Sequence, residues 1–159
     1  MNVVFDFGGV LFTWAPHDLL SRLLPHRTAT PEATRALVTD FFQAYGGDWS
    51  EFDRGAVAPT PLATQIARRT GLELDEARRV IDAVPLELRP IDASVTLLRR
   101  LHAHGQRVYF LSNMPAPYAD HLDANHDFIA LFDDGIYSAR VGMIKPERAI
   151  FDHAVRTFG

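Results

Sequence analysis

Val3-Val4-Phe5-Asp6 stands almost at the start of the chain and limits the fold more than any other stretch. Its β-branched and aromatic residues are apolar on both faces of a strand, so both faces need cover. Such a strand belongs in a parallel sheet between layers of helices. It ends in a carboxylate, Asp6, and burying a strand end of that kind is costly unless the charge is paired or bound to a metal. Phe7-Gly8-Gly9-Val10 follows, and the Gly pair permits a tight turn with close backbone approach. Taken alone, Asp6 also fits a plainer role, capping that turn.

From Ala15 to Leu86 the pattern is helical, with no strand. Leu19, Leu20, Leu23 and Leu24 form the first apolar cluster, from Pro16 to Leu24. Thr30-Pro31 is a cap followed by Pro at the first helical position. Ala33, Leu37, Val38, Phe41 and Phe42 then make one stripe, ended by Gly46-Gly47. Thr60-Pro61 repeats the start signal, and Gly71 closes that helix. A fourth helix is expected from Asp75 to Ala83. Beyond this block come a helix from Ile91 to His104, a strand from Arg107 to Ser112 and a helix from Pro117 to Ala124. Then follow a strand from Gly135 to Arg140 and a helix from Lys145 to Phe158. Strands alternating with helices imply parallel pairing through right-handed crossovers.

A chain of 159 residues, 47% apolar and 23% charged, suits one core with an insertion. The expected fold is therefore α/β: a parallel, three-layer, Rossmann-like core over residues 1–14 and 87–159, with a helical bundle over 15–86. The net charge of −4 argues against a nucleic-acid partner. With no Cys there is neither a disulfide frame nor a thiolate nucleophile. No apolar run approaches the roughly 20 residues of a membrane span. The opening residues lack a basic segment followed by an apolar core. The chain is expected to be cytoplasmic.

In an open α/β sheet, ligands bind beyond the carboxyl ends of the strands. Asp6, Ser112 and Lys145 are expected there, with Asn113 beside them. A carboxylate can attack phosphorus or hold a metal. A hydroxyl can donate to a phosphoryl oxygen, and an ammonium can offset charge that builds up in transfer. Lys145 is the single Lys among 16 basic residues. A cation at a helix N-terminus is disfavoured unless an anion lies between the two.

The ordered set resembles the haloacid dehalogenase-like hydrolase superfamily. Phe5-Asp6-Phe7-Gly8-Gly9-Val10-Leu11 is similar to its first motif, Val108 to Asn113 to its second, and Gly142-Met143-Ile144-Lys145-Pro146 to its third. The helical block resembles the superfamily's cap. The first motif looks closest to small bacterial sugar-phosphate phosphatases. The resemblance implies a Mg²⁺-dependent phosphatase of a small phosphorylated metabolite. Asp6 would form a phosphoaspartate, and Ser112, Asn113 and Lys145 would bind the phosphoryl group. Asp6 and the carbonyl of Gly8 would hold Mg²⁺, whose hard-oxygen preference they suit.

Two departures stand out. Related phosphatases carry a second Asp two residues after the nucleophile, as general acid and base; here that position is Gly8. His17 and Asp18 are the nearest substitutes. The fourth motif, an acidic strand end supplying a further metal ligand, is not found before Gly159, and an incomplete chain is the expected reason. Asp133-Asp134 precedes Lys145 and reads as a turn. An uncovered first strand leaves room for a homodimer. Gly8 also admits two other readings: carbon–halogen hydrolysis without metal, and a phosphate-binding domain without turnover. The spacing of the seven His is wrong for zinc. The paired Arg at 68–69, 78–79 and 99–100 read as solvated faces, with a cap Arg that reaches a substrate phosphate as the second reading; Trp14 and Trp49 read first as core and second as lining of the gap between core and cap.

Overall fold

The computed structural model describes residues 2–43 and 46–159. Met1, where the expected core begins, and Ala44 and Tyr45, inside the expected helical block, lie outside them. Three strands, β1 (Asn2–Phe5), β2 (Arg107–Ser112) and β3 (Asp134–Tyr137), form a parallel sheet in the order β1-β2-β3. Alternation along β2 divides the core. Val108 and Phe110 face one side, where Phe7, Phe128 and Tyr137 pack with them. On that side lie helices α6 (Asp92–Ala103) and α7 (Ala116–Asn125). Tyr109 and Leu111 face the other side, with Ile136, and meet Ile150, Ala154 and Phe158 of α9 (Arg148–Phe158). Tyr109 stacks on Phe158 with ring centroids 4.5 Å apart. The layering is α/β/α, and β1 pairs only with β2 among the described residues.

The helical block has five helices among the described residues, where the sequence pattern suggests four. They are α1 (Pro16–Leu23), α2 (Pro31–Phe42), α3 (Gly47–Asp53), α4 (Pro59–Thr70) and α5 (Leu74–Glu87). Thr30 caps α2 by accepting from the Ala33 amide at 3.1 Å. Gly47 does not merely end a stripe; it begins α3, a helix too short for periodicity to register. Pro59, not Pro61, opens α4, with Ala58 as its cap residue. Arg69 is not on a solvated face: it is ion-paired with Asp48 and joins α4 to α3. The block leaves and rejoins the core through two adjacent extended segments. The Thr13 amide donates to Arg89 at 2.8 Å, and the Ile91 amide donates to Leu11 at 2.8 Å.

Three expectations change near the site. The third strand ends at Tyr137, and Ser138–Val141 turns into a short helix, α8. Asp134 is a strand residue opposite Tyr109, so the acidic pair is not a free turn. Asp133 prolongs that pairing, because its carboxylate accepts from the Val108 amide at 2.8 Å. The last helix starts at Arg148, with Lys145 in the loop before it. The side chain of Asn113 grips both polar groups of the Lys145 backbone, at 2.8 and 2.9 Å, and holds it out of a helix.

Pro85 lies inside α5 and has no N–H to give to the carbonyl of Ile81. The hydroxyl of Tyr118, from α7, donates to that carbonyl at 2.6 Å. The broken helical bond thus becomes a tie between block and core. No helix among the described residues is long and apolar enough to cross a membrane.

Tyr118→Phe should cost about 1–3 kcal/mol, the usual penalty for orphaning a buried acceptor. Pro85→Ala in the same chain should return part of it by restoring the helical N–H; urea unfolding of both variants checks this. Gly135 lies opposite Phe110, and an added Cβ would fall 2.0 Å from the ring. Gly135→Ala should therefore destabilise by about 1–3 kcal/mol in the same assay.

Candidate active site

The carboxyl ends of β1 and β2 bring the expected residues together. Asp6 follows the last residue of β1, and its Oδ1 accepts from the Phe7 amide at 2.7 Å. Its Oδ2 lies 2.7 Å from the Lys145 ammonium. That ammonium also donates to the carbonyl of Leu111 at 3.0 Å. The half-exposed strand end therefore carries a paired charge, which answers the cost of partly desolvating it. The ion pair is open to solvent on one side: the Asp6 side chain is 45% exposed and that of Lys145 20%.

The turn after Asp6 is tight. The Phe7 carbonyl accepts from the amides of Val10, Leu11 and Phe12, at 3.1, 2.9 and 2.9 Å. Gly8 lines the cavity above it. A Cβ at Gly8 would meet nothing closer than Trp14 Cβ at 3.9 Å, so space does not dictate the glycine. Ser112 ends β2, is 1% exposed and has only a 3.5 Å contact to the Asn113 carbonyl. Its hydroxyl thus keeps its donor capacity. Asn113 binds the Lys145 backbone and also lines the cavity.

That cavity is about 340 Å³ and lies between core and helical block. Trp14, Phe42, Trp49 and Tyr118 supply aromatic walls, and Val84, Leu88 and Met114 supply aliphatic ones. Trp14 and Trp49 both line this space, the second of the two roles read from sequence; Trp49 is core as well, whereas Trp14 is partly exposed. Phe42 and Trp49 meet edge to face at 4.7 Å, and Trp14 and Phe42 at 5.2 Å. The substitutes suggested for the missing second Asp are not here. Asp18 lines a separate cleft with Arg22 and Glu87, and His17 is exposed and lines neither.

One acidic residue of the cavity escaped the sequence reading. Asp53, at the end of α3, reaches it from the helical block. Burial pushes its carboxyl up to about 7, against the field of Lys145, which lowers it. No described residue donates a hydrogen bond to this carboxyl. Buried Tyr118 feels it in turn: burial raises the phenol well above its ordinary range, and the Asp53 charge adds to that. Among the described residues, no three His, Cys, Asp or Glu cluster as a metal cage. The Asp6 carboxylate and the Gly8 carbonyl offer two hard oxygens. That suits an ion such as Mg²⁺, which keeps waters and shares substrate phosphate oxygens.

Over 153 residues the chain is 29% identical to the sesquiterpene phosphatase astK of Aspergillus oryzae, covering 96% of this chain and 71% of that protein. It is 28% identical over 158 residues to the drimenol cyclase drtB of Aspergillus calidoustus, but spans only 27% of that protein. Among solved structures it is similar to a HAD family enzyme of Bacteroides thetaiotaomicron in complex with magnesium and inorganic phosphate. There the TM-score is 0.71 at 20% identity, over 98% of this chain and 77% of the other. It is also similar to the L-2-haloacid dehalogenase of Xanthobacter autotrophicus with chloropropionic acid covalently bound. That match has a TM-score of 0.63 at 19% identity, over 99% of this chain and 64% of the other. The model of the haloacid dehalogenase-like hydrolases matches residues 1–159, so the chain belongs to that family of hydrolases.

Proposed function

We propose that the protein is a phosphatase that forms a phosphoaspartate on Asp6 and releases an apolar alcohol. The observation that carries this reading is the Asp6–Lys145 pair, 2.7 Å apart, beside Gly8 and Asn113, which line an aromatic cavity. Residues 15–86 serve in it as a cap over the core of 1–14 and 87–159. Asp6 attacks phosphorus, while Lys145 offsets the charge gathered on nucleophile and phosphoryl group. Ser112 and Asn113 donate to phosphoryl oxygens. Mg²⁺, held by Asp6 and the Gly8 carbonyl, supplies further charge neutralisation when bound.

The cavity walls choose the alcohol. A sugar would need polar partners for several hydroxyls, and the walls offer few besides Asp53 and Asn113. Carbon-rich walls fit a hydrocarbon chain, and relatedness to a sesquiterpene phosphatase supports an isoprenoid-like one. Carbon–halogen hydrolysis is the second reading, favoured by the missing carboxylate at Gly8. It needs a free cation for the substrate carboxylate. Lys145 is committed to Asp6, and no Arg or Lys is among the described residues that line the cavity.

The full-length product of the gene, supplied with Mg²⁺, should release phosphate from an isoprenyl monophosphate faster than from glucose phosphates. Asp6→Asn and chelation should each abolish that release while far-ultraviolet circular dichroism stays unchanged. Chelator-resistant halide release from 2-chloropropionate would favour the dehalogenase reading. Phosphate binding without turnover would favour the inactive domain.

A further inference from the structure

Gly8 leaves the reaction without its customary proton donor, and the helical block presents a carboxyl to the same cavity. We propose that Asp53 is the catalytic acid that protonates the leaving oxygen, and the base that then activates water. The inference rests on the phosphatase reading above.

Asp53 is held for this task from the side of the core. Its backbone carbonyl accepts from Ser138 Oγ at 2.5 Å, and that oxygen accepts from the Met114 amide at 2.8 Å. Ser138 is fully buried. Arg54, the next residue, donates to the Gly142 carbonyl at 3.2 Å and is ion-paired with Glu147. Gly142 and Glu147 flank Lys145 in sequence. Gly55 completes the seam. It adopts φ +83°, and a Cβ there would fall 2.8 Å from the Ala139 carbonyl, so backbone meets backbone. The seam thus fixes Asp53 relative to the loop that carries the charge-offsetting ammonium. The backbone of Asp53 is anchored, while the residue lines the cavity and its carboxyl takes no hydrogen bond from any described residue.

The titratable groups that act on it are Lys145, whose charge favours ionisation, and Tyr118, which stays neutral with its hydroxyl committed to the Ile81 carbonyl. With its proton affinity raised by burial, the carboxyl holds a proton near neutrality and can still give it up. In the first step Asp6 Oδ bonds to phosphorus and the ester P–O bond breaks. Its electron pair goes to the leaving oxygen, which takes the Asp53 proton and departs as the alcohol. In the second step water attacks the phosphoaspartate and gives a proton to the Asp53 carboxylate. The P–O bond to Asp6 breaks, releasing phosphate and regenerating both carboxyl groups.

Substrates with good leaving groups need no proton, and this separates Asp53 from a structural residue. First-turnover alcohol release by Asp53→Asn should fall about 10²–10⁴-fold on an isoprenyl monophosphate. On 2,4-dinitrophenyl phosphate it should fall less than about tenfold, giving a burst of one phenolate before slow turnover. Equal losses on both substrates, or none, would overturn the role. A wild-type enzyme inert toward both would overturn the phosphatase reading as well, which separates the two failures. The variant is expected to fold. A carboxyl raised from 3.8 to about 7 binds its proton more tightly folded than unfolded, so stability falls as pH rises through that window. Asp53→Asn removes that cost and should melt no lower than wild type at pH 8. Independently of any variant, wild-type first-turnover rates should vary little with phenol basicity across a series of aryl phosphates. A steep dependence would overturn the proposal.

Discussion

The ion pair between Lys145 and Asp6 links segments that the sequence keeps far apart. Asp6 ends the first strand, while Lys145 sits in the loop that precedes the last helix. Asn113, just after β2, grips the Lys145 backbone from both sides. Two carboxyl strand ends and one loop are thereby locked around one carboxylate. A lone carboxylate there would demand desolvation with little return, and a lone ammonium likewise; together they are tolerable at a half-open strand end. The sheet face, the tight turn over the Phe7 carbonyl and the position of α9 all set the geometry of that pair.

The helical block is joined to this centre by unlike contacts. At one side stand the two extended rails of 11–13 and 89–91, bonded through their backbones. At the other stands the seam of Ser138, Arg54 and Gly55. Between them Tyr118 answers the carbonyl that Pro85 frees. The cavity is what remains between these three attachments. Its walls are therefore set by residues of α1's approach, α2, α3, α5 and α7 at once, and by the core turn at Gly8.

The core was legible from the chain because its signals are local. An apolar run ending in Asp6, a second ending in Ser112 and a single Lys marked residues that the fold brings to one end of the sheet, and strand β2 has the limits read from its pattern. Asp53 was not legible. It belongs to a seven-residue helix with no period to measure, and contacts distant in sequence, from Ser138, Gly142 and Glu147, hold that segment against the core. For Trp14 and Trp49 the sequence left two roles open, core and lining of the gap. Aromatic residues at such positions read first as core, and only the shape of the gap between block and core makes them walls. Lys145 was placed correctly as a partner of Asp6 but wrongly as the start of a helix. The reason is the grip of Asn113, a side chain distant in sequence, which local pattern cannot see.

The rails at 11–13 and 89–91 also bear on how the chain finds this structure. Asn2 pairs with Arg107, so the first strand must close a very long loop before its sheet exists. The entropy of closure grows only slowly with loop length, by about 0.6 kcal/mol for each doubling, but it is owed before any sheet contact repays it. The native bonds between the two rails place Leu11 beside Ile91. A helical block that assembled from its own short-range contacts would bring those two residues together and shorten the loop still to be closed. The insertion beside the cavity would then double as a splint for the parallel pair.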